Sequence, residues 1–147
     1  MSQSQQISVP RKKSRKKLYA MVGAVILVII IIAVIASPRT SSIVPGGTIE
    51  SIAAGNSYNI EFNTSASGTL AASVNATNGI TFYLLTPSEY SNDKASGSFS
   101  SYAFTSGHIS SGSFNTNIGS GTWYAVFYNS NIITSSTLTV NSLTFTT

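Results

Sequence analysis

Two hydropathy patterns divide this chain. From Leu18 to Ala36 every residue is uncharged and nearly all are apolar, reading LYAMVGAVILVIIIIAVIA. Beyond about Thr48, apolar residues instead recur at every second position, in short runs broken by Gly, Asn and Ser. The first pattern predicts one transmembrane helix. At about 1.5 Å rise per residue it reaches roughly 28 Å, close to the ~30 Å hydrocarbon core of a bilayer. Its Ile and Val content is poor helix-forming material in water, but a lone segment in lipid satisfies its backbone only as a helix. Tyr19 marks one interface, and Ser37-Pro38 ends the segment at the other.

The second pattern is the signature of half-buried strands. Tyr58, Ile60 and Phe62 fall on one face, followed by Leu70, Ala72 and Val74, then Ile80, Phe82 and Leu84. Tyr102 with Phe104 predicts another short strand, and Phe114, Thr116 and Ile118 one more. Thr122 to Tyr128, TWYAVFY, is apolar on both parities and predicts a central strand covered on both faces. The last strand carries Leu138 and Val140, then Leu143 and Phe145; the change of parity at Asn141-Ser142 predicts a bulge or tight turn. Seven or eight short strands in about 100 residues predict an all-β, antiparallel two-sheet β-sandwich of jelly-roll or immunoglobulin-like type. Gly79 and Gly121 read as turns of two similar hairpins, and the polar stretch Ser88 to Ser101 as a loop.

Charge adds an orientation. Arg11, Lys12, Lys13, Arg15, Lys16 and Lys17 precede the apolar run, and only Arg39 closely follows it. The positive-inside rule then places the N-terminus in the cytoplasm and the C-terminal part outside the cell. This basic cluster is expected to lie against anionic lipid headgroups, so the lipid bilayer is the first partner. From Thr40 onward the only charged residues are Glu50, Glu61, Glu89, Asp93 and Lys94, so the folded part is slightly acidic and no nucleic acid is expected. The expected organisation is a basic cytoplasmic tail over 1–17, a transmembrane helix over 18–36, a stalk over 37–47 and an extracellular domain over 48–147. Two processed forms compete with a retained anchor. One is a secretory signal peptide cut after Val34-Ile35-Ala36. The other is a pilin-type leader cut ahead of the apolar run, although Tyr19-Ala20 lacks the basic residue such leaders carry.

Gly121-Thr122-Trp123-Tyr124-Ala125-Val126-Phe127-Tyr128-Asn129, followed by Ser136-Thr137-Leu138-Thr139-Val140, resembles the closing strands of pre-peptidase C-terminal-type accessory β-sandwiches. Tyr58-Asn59-Ile60-Glu61-Phe62 is similar to their opening strand. The Ser, Thr, Asn and Tyr richness, together with the anchor, also resembles small membrane-anchored archaeal cell-surface proteins. These resemblances imply an accessory or binding module on a cell envelope, with other envelope proteins or glycans as partners and no catalytic residues to carry over.

Candidate chemistry is sparse. The chain has no cysteine, which excludes disulfides, thiol nucleophiles and zinc-thiolate sites. His108 is the only histidine, no nucleophile elbow accompanies it, and it reads as a loop residue beside Gly107. Glu89 and Asp93 are close enough in sequence to share a cation, but calcium wants six or more oxygens. No enzyme activity, metal or cofactor is expected. Trp123, Tyr90 and Tyr102, with Tyr83 nearby, form a candidate aromatic platform for sugars. Asn63 and Asn75 head glycosylation sequons, and both are expected at strand ends. Scarce charge also predicts a fold that survives acid, because few carboxylate interactions are lost on protonation. The functional expectation is a membrane-anchored, non-enzymatic surface module that binds envelope protein or glycan. A filament or lattice subunit and an accessory subunit of a membrane complex are the alternatives.

Overall fold

The computed structural model describes residues 27–31 and 39–147. Eight strands and one helix follow in order: β1 Leu27–Ile31, β2 Thr40–Val44, β3 Thr48–Ile52, β4 Ser57–Thr64, β5 Gly68–Leu85, α1 Pro87–Ser96, β6 Phe104–Ile118, β7 Gly121–Tyr128 and β8 Ser136–Thr146. The strands dominate as expected, and every pairing is antiparallel except that of β1 with β4, but the two-sheet arrangement is replaced. The strands form a single hydrogen-bonded sheet in the order β1-β4-β7-β5-β8-β2, with β3 added on β8 and β6 on β5. Two independent sheets are not needed, because β5 is long enough to serve two wings. Its first half pairs with β8, from Thr69↔Thr146 to Ala76↔Leu138, and its second half with β7, from Thr81↔Tyr128 to Leu85↔Tyr124.

The wings enclose one core. Ile60, Phe62, Phe82, Leu84 and Phe127 come from one wing, and Leu70, Val74, Leu138, Val140, Leu143 and Phe145 from the other. Every set of alternating residues predicted for β4, β5 and β8 is buried there. The parity change in β8 is a bulge: Ser73 faces Ser142 and Val74 faces Val140, leaving Asn141 unmatched. As predicted, β7 is central and covered on both faces. Ala125 and Phe127 enter the core, while Val126 is equally buried on the opposite face, toward α1.

Several expectations are corrected. Thr40–Val44 is not stalk but strand β2, paired with β8, and it buries Ile43 and Val44. Ile43 and Val44 supply core that a solvated stalk would waste. Gly79 does not turn a hairpin: β5 runs through it, and its positive φ of 74° accommodates the irregularity between Asn75 and Ile80. Gly121 begins β7, which pairs with β4 and β5 rather than with β6, so the second predicted hairpin is absent as well. His108 lies within β6 and its ring covers Gly79, so a side chain at 79 would collide with it. Gly79→Ala therefore combines a left-handed backbone with a steric clash. It is expected to lower stability by about 1–3 kcal/mol in thermal melts, and His108→Ala in the same chain should restore only the steric part.

The largest correction is α1, which takes Pro87–Ser96 out of the loop predicted over Ser88–Ser101. Thr86 caps it, Pro87 stands in its first turn and Gly97 ends it in the left-handed conformation at φ 72°. The start is a capping box. The Glu89 carboxylate accepts from the Thr86 N–H at 2.8 Å, and the Glu89 N–H reaches back to the Thr86 hydroxyl.

Of the predicted membrane helix, only Leu27–Ile31 lies among the described residues, and there the structure has strand instead. These residues form β1, parallel to β4 from Leu27↔Asn59 to Ile31↔Asn63. The β-branched run favours an extended backbone wherever lipid does not impose a helix, and the edge of β4 offers unpaired N–H and C=O groups. Among the described residues no helix is long and apolar enough to cross a membrane. The rest of Leu18–Ala36, the basic cluster and both cleavage positions lie outside the described residues.

Candidate functional site

The outer face of the β4–β7–β5 wing carries polar and aromatic residues in register, because it alternates with the core face. Across the three strands Asn59 pairs with Val126 and Val126 with Tyr83, while Glu61 pairs with Tyr124 and Tyr124 with Leu85. Helix α1 lies over this face. Its Tyr90 ring stacks on Tyr124 at a centroid distance of 4.1 Å and an interplanar angle of 5°. Just beyond the helix, Phe99 stacks on Tyr83 at 4.3 Å and meets Tyr128 at 5.1 Å. These contacts prop the helix away from the strands and leave a cavity of about 180 Å³ between them.

Asn59 and Tyr128 line the cavity from the sheet, Tyr90, Asp93 and Lys94 from the helix, and Phe99 from the segment that follows. Asp93 is only 4% exposed and Asn59 only 3%. One Asp93 carboxylate oxygen, Oδ1, accepts from the Ser100 N–H at 3.2 Å. The Asn59 amide nitrogen donates to the Tyr90 hydroxyl at 3.4 Å. The remaining oxygens, Asp93 Oδ2 and Asn59 Oδ1, are buried without a hydrogen-bond partner. Exchanging the two ends of the Asn59 amide changes little, since the Tyr90 hydroxyl both donates and accepts. Burial pushes the Tyr90 phenol up, the hydrogen bond from Asn59 lowers it, and the nearby Glu61 charge raises it again. It therefore stays protonated and able to donate at neutral pH.

The candidates read from sequence separate in space. Tyr90 lines the cavity. Trp123 lies on the core-facing side of β7, partly buried, with its indole N–H donating to the Gly119 carbonyl at 3.0 Å. Tyr102 is 44% exposed and leans on Tyr83 at 5.4 Å, outside the cavity lining. The three form no common platform, because alternation along β7 sends Trp123 and Tyr124 to opposite faces. Asn63 is half-buried near the end of β4, and its side-chain oxygen accepts from the Thr122 hydroxyl at 2.6 Å. Asn75 is exposed but in mid-strand rather than at a strand end. Glu89 and Asp93 do not converge on a cation, since both Glu89 oxygens are engaged, Oε2 by Thr86 and Oε1 by the Ser101 hydroxyl at 3.2 Å. Among the described residues no group of three or more His, Cys, Asp or Glu side chains is placed to hold a metal.

Glu89 gives the acid expectation a testable form. Partial burial raises its pKa, but the hydrogen bonds from Thr86 and Ser101 outweigh this and hold the carboxyl below its ordinary value. A group depressed in the folded state stabilises the fold above its unfolded value. That contribution fades as pH falls through the folded value, which lies below the ordinary glutamate value. Because Glu89 is only half-buried, solvent screens its interactions and the effect is expected to be small. Circular dichroism should show β signal retained at pH 2, with a melting temperature slightly below that at pH 7. Thr86→Ala should flatten the difference, and loss of the β signal at pH 2 would contradict this reading.

No protein-family model and no curated protein sequence matches the chain. Among solved structures, the pre-peptidase C-terminal domain of collagenase from Bacillus anthracis superposes with a TM-score of 0.52 at 17% identity, covering 79% of this chain and 93% of that domain. The fold is that of a pre-peptidase C-terminal domain. At this identity the likeness concerns the path of the backbone, and it agrees with the resemblance read from β4, β7 and β8. Within the pre-peptidase C-terminal fold of this chain, the cavity under α1 is assembled from the outer face of one wing, leaving the core between the wings intact.

Proposed function

We propose that this chain is a membrane-anchored surface protein whose pre-peptidase C-terminal-type domain is a non-enzymatic binding module for envelope glycan or protein. The observation that carries the reading is the cavity under α1, walled by Tyr90, Phe99 and Tyr128, on a fold shared with the pre-peptidase C-terminal domain of a collagenase. The apolar run Leu18–Ala36 and the basic cluster before it supply the anchor and its orientation. The cavity is lined by a carboxylate and an amide residue between aromatic walls, a composition suited to holding a ligand and short of the paired acid, base or nucleophile a reaction needs. Co-sedimentation of the detergent-solubilised full chain with isolated envelope material from the source cells tests this. Retention that is lost on heat-unfolding the domain is expected; a folded chain that stays in the supernatant would overturn it.

The parallel pairing of β1 on β4 favours a second reading, a filament subunit. Leu27–Ile31 cannot be helix in lipid and strand on β4 at the same time. With that segment in the membrane, the β4 edge is free to accept a strand from a neighbouring copy. Ordered fibres labelled by an antibody to this chain on native cells would support it, and bare surfaces would dismiss it.

A further inference from the structure

We propose that the free edge of β6 is a self-association surface, on which residues 111–118 pair antiparallel with the same stretch of a second copy of this chain. This goes beyond the binding reading above and does not depend on it.

The backbone defines the kind of partner. Among the described residues β6, Phe104–Ile118, pairs only with β5. Its other side is a row of N–H and C=O groups open to another strand. The row is regular over 111–118, where eight consecutive residues keep register with β5, from Asn75↔Ser111 to Gly68↔Ile118. Toward Phe104 the register shifts twice and Gly107 has a φ of 66°, so that half suits a straight partner less well. Proteins block such edges with charge, proline, short strands or a covering element. The edge strands β2 and β3 have five residues each, and β4 carries β1. β6 has 15 residues and no Lys, Arg, Asp, Glu or Pro among them.

The core supplies an independent observation. Phe104, Ile109 and Phe114 pack against it yet stay only partly buried. Phe114 meets Phe82 at 4.6 Å, and part of its surface remains open at the edge of the sheet. A strand laid along β6 covers those apolar atoms and pairs the backbone row at once, which is the chemistry of strand addition. The stretch also complements itself. About a two-fold axis through Phe114, the two Phe114 rings become cross-strand neighbours on the core side, where Gly112 opposite Thr116 leaves room. On the exposed side Ser113 faces Asn115 and Ser111 faces Asn117, so hydroxyls meet amides and no like charges oppose each other. About six to eight main-chain hydrogen bonds form across the axis. Because the same edge is used on both copies, the contact closes at a dimer.

Sedimentation of the full chain in density-matched detergent reads the assembly directly. A concentration-dependent equilibrium between monomer and dimer is expected. Ser113→Lys combined with Asn115→Lys sets four cations around the axis at exposed positions, and should weaken the dimer at least tenfold. Ile132, 90% exposed beyond β7, is the comparison: Ile132→Lys should leave the dimer unchanged. The chain has no cysteine, so register can be read separately. A mixture of Ser113→Cys and Asn115→Cys chains should form the mixed disulfide on mild oxidation faster than either chain alone joins to itself. The proposal is overturned if the parent stays monomeric, or if Ile132→Lys abolishes the dimer. A dimer that ignores the two lysines, as one made through the apolar run would, overturns it as well. Should the lysine variant fail to fold in thermal melts, the cysteine mixture decides: no preference for the mixed disulfide overturns the pairing.

Discussion

Replacing Phe82 by alanine is expected to cost about 3–5 kcal/mol of stability, the largest single-residue loss this fold offers. Phe82 is fully buried on the half of β5 that lies between β7 and β6. Its ring meets Phe114 at 4.6 Å, Phe127 at 5.1 Å and Phe104 at 6.2 Å, so it joins three strands at one point. Removing it forfeits the transfer energy of the ring and opens a cavity whose walls are held by sheet hydrogen bonds and cannot collapse. Set against the ~5–15 kcal/mol typical of a whole domain, the loss is a large fraction of the total. Each kcal/mol moves the melting point by about 4–8 °C in a domain near 100 residues, so a fall of well over ten degrees is expected. Ile49, 65% exposed on β3, is the internal comparison: Ile49→Ala should change stability by no more than about 0.5 kcal/mol. Equal melting points for the two variants would mean the core is not where the structure puts it.

Asn129 is expected to show the second-largest effect, through hydrogen bonds instead of packing. It is fully buried just after β7. Its amide nitrogen donates to the Ile52 carbonyl at 3.0 Å and to the Thr134 carbonyl at 2.9 Å, and its amide oxygen accepts from the Asn131 N–H at 3.1 Å. One side chain thus ties the end of β3 to the loop between β7 and β8. Asn129→Ala strands these partners in a dry site and is expected to cost about 2–4 kcal/mol. Asn129→Asp keeps the shape but turns a negative oxygen toward two carbonyl oxygens, so at pH 7 it should cost at least as much. The two variants separate on acidification. The introduced carboxyl would have a folded pKa raised by burial, so its protonated form is the one the fold tolerates. Asn129→Asp should therefore recover stability as pH falls, while Asn129→Ala should not. Melts from pH 7 to pH 4 read the difference, and parallel curves would contradict the bonding described.

These effects bear on how much of the molecule its sequence discloses. Alternation is a local signal, and it located the inward residues of β4, β5 and β8 because a strand with one wet face must alternate. Apolar residues on both parities likewise marked β7 as covered twice. Helix α1 escaped because its face toward the sheet is narrow and its other positions are Ser, Asn, Ala and Lys, which give no 3.6-residue rhythm. Its end signals were nevertheless written in Thr86-Pro87-Ser88-Glu89 and in Gly97, a capping box and a left-handed stop. Gly79 shows the opposite failing: a glycine that reads as a turn instead serves an irregularity inside a continuous strand. The candidate site was the least legible part. Asn59, Asp93 and Tyr128 come from three distant segments, and nothing in a polar serine-rich stretch distinguishes an aspartate that will be buried from one that will be solvated. Only pairing of β4 with β7, and the helix laid across them, brings the three together.

In the proposed topology an anchor presents the folded β domain outside the cell and keeps the basic N-terminus inside. The chain has no cysteine, so one can be introduced without background. In intact cells, Ser110→Cys, exposed on β6, should react with a membrane-impermeant maleimide, while Ser14→Cys in the basic tail should react only after permeabilisation. Labelling of Ser14→Cys in intact cells, or protection of Ser110→Cys until the membrane is opened, would contradict it.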